Sequence, residues 1–297
     1  MTRPRGSSPS KARPSAKRAA PRPRVDARAA LSSEPEELEL AAAGGSSLGY
    51  FRETSRASFG IVAVLPLLAA YHIGLVRLDA DVRNGADFYL QLGLEAAAPS
   101  WSLWVWWGLV AAAVLGAAVH QFRLATPFLR YLLVLCCEAA LLGLMLGPLT
   151  LLLHEVLVPN SRVLPLGASA PADRAWLDAV LSLGAGVYEE IVFRLLLLSG
   201  LYVLLLRGLA HGETGERWRR AKLQAGGLAV LISAVVFSAF HYIGAGADLF
   251  VWKEFVYRAI GGGILGILFI LRGFGVVVYT HAAYDLLVFF FFPLVWP

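Results

Sequence analysis

Charge is scarce in this chain, and so is sulfur. Only 16% of its 297 residues are Asp, Glu, Lys or Arg, while 58% are hydrophobic and the mean hydropathy is +0.64. A soluble domain carries roughly 25% charged residues, so a soluble globular class is excluded. The two cysteines, Cys136 and Cys137, are adjacent in an apolar run. They permit neither a disulfide framework nor a thiolate metal site. No internal repeat is visible, which sets solenoids aside and gives no support to a transporter built from inverted repeats. No HExxH occurs, and no short apolar core with a small-residue cleavage site follows the basic start, so a cleaved signal peptide is not expected.

What is present is a series of apolar runs that approach or exceed the ~18 residues read as a membrane span. They cover about 59–76, 101–119, 131–153, 175–206, 226–243, 255–271 and 275–294. The expected fold is an all-α polytopic transmembrane helix bundle of about seven spans. Trp101, Trp104, Trp106 and Trp107 open the second run as an interfacial aromatic belt would. Glu138 in the third run is expected to make a helix–helix hydrogen bond, and Gly147-Pro148 to kink that helix. The fourth run is too long: 32 residues make about 48 Å of helix, against a hydrocarbon core of about 30 Å. Gly184 and Gly186 are the obvious break, with a short lead-in helix before them.

The domain reading is a disordered basic tail, 1–57, and a membrane domain, 58–297. The net charge of +5 comes from an excess of Arg and Lys in the first 28 residues. A solvated tail near anionic lipid explains this better than nucleic-acid binding. An acidic patch at Glu34, Glu36, Glu37 and Glu39 follows. Placing the N-terminus in the cytoplasm puts 19 of the 26 basic residues on the inner side, as the positive-inside rule requires.

The stretch around Glu189, Glu190 and Arg194 interrupts the fourth run. A charge at the bilayer centre costs about 2.5–3.5 kcal/mol on insertion scales, so such residues face the bundle interior and usually mark a site. Glu190 and Arg194, four apart, share a helix face and can pair. Glu189 points about 100° away and is left free to act. The bland alternative is a buried structural ion pair with a spare carboxylate. Two more polar groups lie in apolar runs: His241 ends the fifth, and His281 and Asp285 share a face of the seventh. Lone membrane histidines, like His72, are mostly structural. Imidazoles and carboxylates from three helices together supply a general base and a water-holding patch, as buried peptide hydrolysis needs.

Glu189-Glu190-x-x-x-Arg194, Phe237-x-x-x-His241 and His281-x-x-x-Asp285 resemble the three ordered motifs of the CPBP superfamily, intramembrane proteases related to the Ras-converting CAAX prenyl endopeptidase. The resemblance covers about 175–290. It implies that Glu189 and His241 activate water, that His281 and Asp285 stabilise the oxyanion, and that Glu190 and Arg194 support them. The last position is often Asn in relatives. An ionised Asp cannot donate a hydrogen bond, so Asp285 must be protonated for that role, or must orient His281 instead. The family has also been read as metal-dependent; Glu189, His241 and His281 would then be zinc ligands. Metal-free chemistry, with no cofactor, is the expectation. One conflict stands: on these spans His241 lies near the outer end of its helix and His281 nearer the inner end of its own.

The expectation is therefore an intramembrane endopeptidase of a bacterial inner membrane. It would cut a membrane-anchored protein, with removal of a C-terminal sorting or anchoring segment as one form. The partners implied are that substrate and the lipid bilayer, with no nucleic acid. The alternative is a non-proteolytic membrane protein: a transporter, immunity or scaffold protein.

Overall fold

A computed structural model of the chain describes residues 47–78, 82–159, 175–244 and 247–290. The basic and acidic stretches of 1–46 and the Gly244–Gly246 bend lie wholly or partly outside them. All regular structure among the described residues is helical. The helices are α1 (Ser47–Thr54), α2 (Ala57–Leu78), α3 (Gly85–Ala97), α4 (Ser102–Leu124), α5 (Phe128–Leu157), α6 (Ala175–Leu209), α7 (Gly215–Phe240), α8 (Trp252–Arg272) and α9 (Phe274–Phe290). Six of them, α2 and α4 to α8, are long and apolar enough to cross a membrane, and α9 is a shorter apolar helix.

Their surfaces follow from their sequences. In α4, Leu103, Trp104, Leu109, Leu115 and Phe122 are all exposed, as expected of side chains that meet lipid rather than water. Helix α9 is the opposite case. Val276, Val277, Val278, Thr280, His281 and Ala282 are all buried, because α9 packs against α5, α2, α6 and α8.

Two expectations change. The last residues of the expected tail form α1, held by Tyr50 donating to the Glu138 carboxylate and by Arg272 donating to Thr54 and Ser55. The fourth run does not break at its glycines. It passes from α-helix (Ala175–Gly184) through π-helical turns at Ala185–Glu189 and Ile191–Leu198 and back to α-helix at Ser199–Leu209. The glycines serve close packing instead. A Cβ on Gly184 would lie 2.4 Å from the Tyr71 ring, and one on Gly186 would lie 2.7 Å from the Ala282 Cβ. Helix α6 thus sits tightly on α2 and α9 where a larger residue would wedge them apart.

Candidate active site

The two carboxylates of α6 have different surroundings. Glu190 is fully buried. One of its oxygens, Oε1, lies 2.9 Å from Arg194 Nη1 and 2.7 Å from His281 Nδ1. Arg194, 1% exposed, also donates to the Gly262 carbonyl oxygen at 3.2 Å and lies over the Phe237 ring at 4.5 Å. The Arg194 guanidinium is thereby balanced by a carboxylate, a carbonyl and an aromatic face, which a charge taken out of water requires. The Arg194 carbonyl accepts both the N–H and the Oγ hydroxyl of Ser199, five residues on, across the widened turn. Widened turns of this kind inside α-helices are frequent at functional sites.

Glu190 in turn sets the state of His281. A carboxylate paired with an arginine can only accept, so the hydrogen between them belongs to His281 Nδ1, an assignment made from the network. That leaves Nε2 facing the interior, 3.9 Å from Glu189 Oε2 and 3.6 Å from Asp285 Oδ2. Both gaps are too long for a hydrogen bond.

Glu189 faces outward from that locked pair. It lines a cavity of about 220 Å³ together with His241, His281, Asp285, Tyr257 and Tyr284. It also lines a neighbouring space of about 570 Å³ together with His241, Arg83, Tyr89 and Phe240. Glu189 and His241 therefore stand between two cavities. His241 follows directly after α7, and its Nδ1 is 3.0 Å from the Phe237 carbonyl oxygen. A carbonyl only accepts, so Nδ1 is the donor there and a neutral His241 keeps the Nε2 lone pair free. The depth conflict expected between His241 and His281 does not arise: both line the smaller cavity, and each packs its ring against Phe237.

All six residues singled out from sequence thus meet, but the sequence reading missed a seventh. Asn84 Nδ2 donates to Glu189 Oε1 at 3.0 Å. Its Oδ1 accepts the Ala86 N–H and caps α3, and its own N–H donates to the Tyr71 hydroxyl. With the oxygen committed to the cap, the amide nitrogen must face Glu189. The local signal, Asn84 ahead of Gly85 with Asp87 in the first turn, announces a helix start; nothing in it announces a carboxylate 105 residues away. Arg258 was passed over as well. It lines the smaller cavity and holds Asp248 at 2.6 Å at the rim. Two other polar residues are structural. His72 bonds the Tyr188 hydroxyl at 2.8 Å. Glu138 is held by both Arg272 Nε and Nη2 at 2.7 Å, remote from these cavities.

A zinc site was open from sequence. As placed, no three His, Cys, Asp or Glu side chains among the described residues converge on a common metal position. Glu189, His241 and His281 share a cavity wall without forming a ligand set.

The helix bundle gathers carboxylates and imidazoles around an interior cavity. Residues 171–287 match the family described as type II CAAX prenyl endopeptidase Rce1-like. The matched segment carries Glu189, Glu190, Arg194, His241, His281 and Asp285; Asn84 lies outside it. No curated protein and no solved structure matches the chain.

Proposed function

We propose that the protein hydrolyses a peptide bond of a membrane-anchored protein in the cavity between Glu189, His241, His281 and Asp285. The observation that carries this is the asymmetry of the glutamate pair: Glu190 is locked against Arg194 and His281, while Glu189 faces a cavity with His241. Glu189, with His241 beside it, takes a proton from water as the water oxygen attacks the carbonyl carbon. The carbonyl oxygen becomes an oxyanion, to which His281, as an imidazolium with Nδ1–H on Glu190, donates its Nε2–H, and a protonated Asp285 donates as well. The C–N bond then breaks, and the proton held by Glu189 or His241 passes to the leaving amine. General-base help of this kind contributes typically 10²–10⁴-fold, and an oxyanion donor about 10²–10³-fold.

The donor role of Asp285 draws support from Glu190. His281 already has a carboxylate that orients it through Nδ1, so Asp285 need not do so. Asn84 is the positioning residue: its amide keeps Glu189 Oε1 occupied and leaves Oε2 turned to the cavity. The paired cavities suit an extended chain passing Glu189 and His241 on both sides. A bacterial inner membrane with the N-terminus inside, and a C-terminal sorting or anchoring segment as the piece removed, complete the reading. The distribution of basic residues supports the orientation.

The test compares membrane-protein C-termini by quantitative proteomics in cells with the wild type and with Glu189→Ala. The expected result is a set of shortened C-termini present only with the wild type, and cleavage by purified protein that survives prolonged chelation. Identical C-termini would favour a transporter or scaffold. Activity lost to chelator and restored by zinc would replace the metal-free mechanism.

A further inference from the structure

Between the distal half of α6, the start of α7 and the end of α8 lies a groove of about 1000 Å³, away from the catalytic cavities. Its floor is apolar, made by Leu198, Val203, Val230, Ile267 and Ile270 among others. One end is different. Trp218, Arg219 and Lys222, in the first turns of α7, line the groove there. Lys222 Nζ lies over the Trp218 ring at 5.4 Å.

The charges of α7 are partitioned. Arg217 faces Glu213 at 3.8 Å and Arg220 faces Glu216 at 3.4 Å. These two arginines are matched by carboxylates of their own segment and do not line the groove. Arg219 and Lys222 line it and have no carboxylate partner among the described residues. A long apolar trough with two unbalanced cations and an indole at one end fits an amphipathic anion. Tryptophan at such a level is the usual anchor of a membrane–water interface, and basic pockets between membrane helices hold anionic headgroups.

We propose that this groove holds one anionic phospholipid, with its acyl chains on the α6–α7–α8 floor and its phosphate on Arg219 and Lys222. A soluble phosphate would use the cations and leave the apolar floor bare, whereas a zwitterionic lipid would use the floor and gain little from the cations. The site is independent of the proteolytic reading.

The experiment is native mass spectrometry of the full chain, stripped of lipid in a neutral detergent and offered phosphatidylglycerol or phosphatidylcholine at equal concentration. The wild type should retain one phosphatidylglycerol in preference to phosphatidylcholine by roughly tenfold or more. Arg219→Gln with Lys222→Gln should abolish the preference, and Arg217→Gln with Arg220→Gln, which removes the same charge elsewhere on α7, should keep it. Gly227→Trp provides a second arm. Gly227 lines the groove and a Cβ there meets no atom within 4 Å, so the new side chain starts in open space on the groove wall; retention of both lipids there should fall. Thermal melting of each variant reports folding separately. Equal retention of the two lipids by the wild type, or displacement of phosphatidylglycerol by millimolar glycerol phosphate, would overturn the proposal.

Discussion

Two carboxylate–arginine clusters sit inside this bundle, and they differ in what is left over. At one, Glu138 accepts two hydrogen bonds from Arg272 and one from Tyr50, and Arg272 also bonds Thr54, Ser55 and the Phe51 carbonyl. Burial and the neighbouring Glu138 push the Tyr50 phenol above its usual range, so it remains a neutral donor. At the other, Glu190 Oε1 alone meets both Arg194 and His281. Yet Glu189, His281 Nε2 and Asp285 remain turned to a cavity. Buried charge alone therefore does not distinguish a fastening from a site; the presence of unspent groups around a space does.

The strongest way to break the comparison is to strand a charge. Arg194→Ala leaves Glu190 buried without its cation, and breaking a buried pair costs about 3–5 kcal/mol. Folded, detergent-extractable protein should fall sharply, and activity with it. Unchanged protein levels with lost activity would move Arg194 from support to chemistry.

Next in size is Asp285. If it donates to the oxyanion, Asp285→Ala should lower the rate about 10²–10³-fold. Asp285→Asn, which always carries donor hydrogens, should keep or raise activity. An inactive but well-folded Asp285→Asn protein would assign Asp285 to orienting His281 as a carboxylate instead. Both are read as single-turnover rates on a cleavable substrate alongside melting temperature.

Asn84 gives a smaller and sharper test. Asn84→Asp keeps the oxygen that caps α3 but replaces the donor to Glu189 with a like charge. A hydrogen bond to a charged group contributes about 1.5–3 kcal/mol, so kcat should fall roughly tenfold or more with KM little changed. Asn84→Ser, which also preserves a cap, should fall less. A drop in melting temperature with kcat untouched would reduce Asn84 to a helix cap.

Much of this was legible in the sequence because the costs involved are large and local. Charged residues in apolar runs are so unfavourable in lipid that Glu189, Glu190, Arg194, His281 and Asp285 declare themselves by position alone. The pairing of Glu190 with Arg194 follows from helical spacing. The course of α6 was not legible: glycines that read as a break are close-packing positions against Tyr71 and Ala282, partners known only once α2 and α9 are placed. Nor was the link from Asn84 to Glu189, which is purely tertiary. Nor was the central place of α9, since an apolar side chain reads the same facing lipid or protein.

The central claim is that Glu189 is spent on chemistry and Glu138 on fastening. The direct measurement places Glu189→Gln and Glu138→Gln side by side, with melting temperature and cleavage of a membrane-anchored substrate read on the same samples. The account predicts that Glu189→Gln melts close to the wild type and cleaves nothing detectable. It predicts that Glu138→Gln melts lower, by an amount equivalent to about 1–3 kcal/mol, yet cleaves at the wild-type rate where it is folded. Cleavage retained by a folded Glu189→Gln protein would contradict the account.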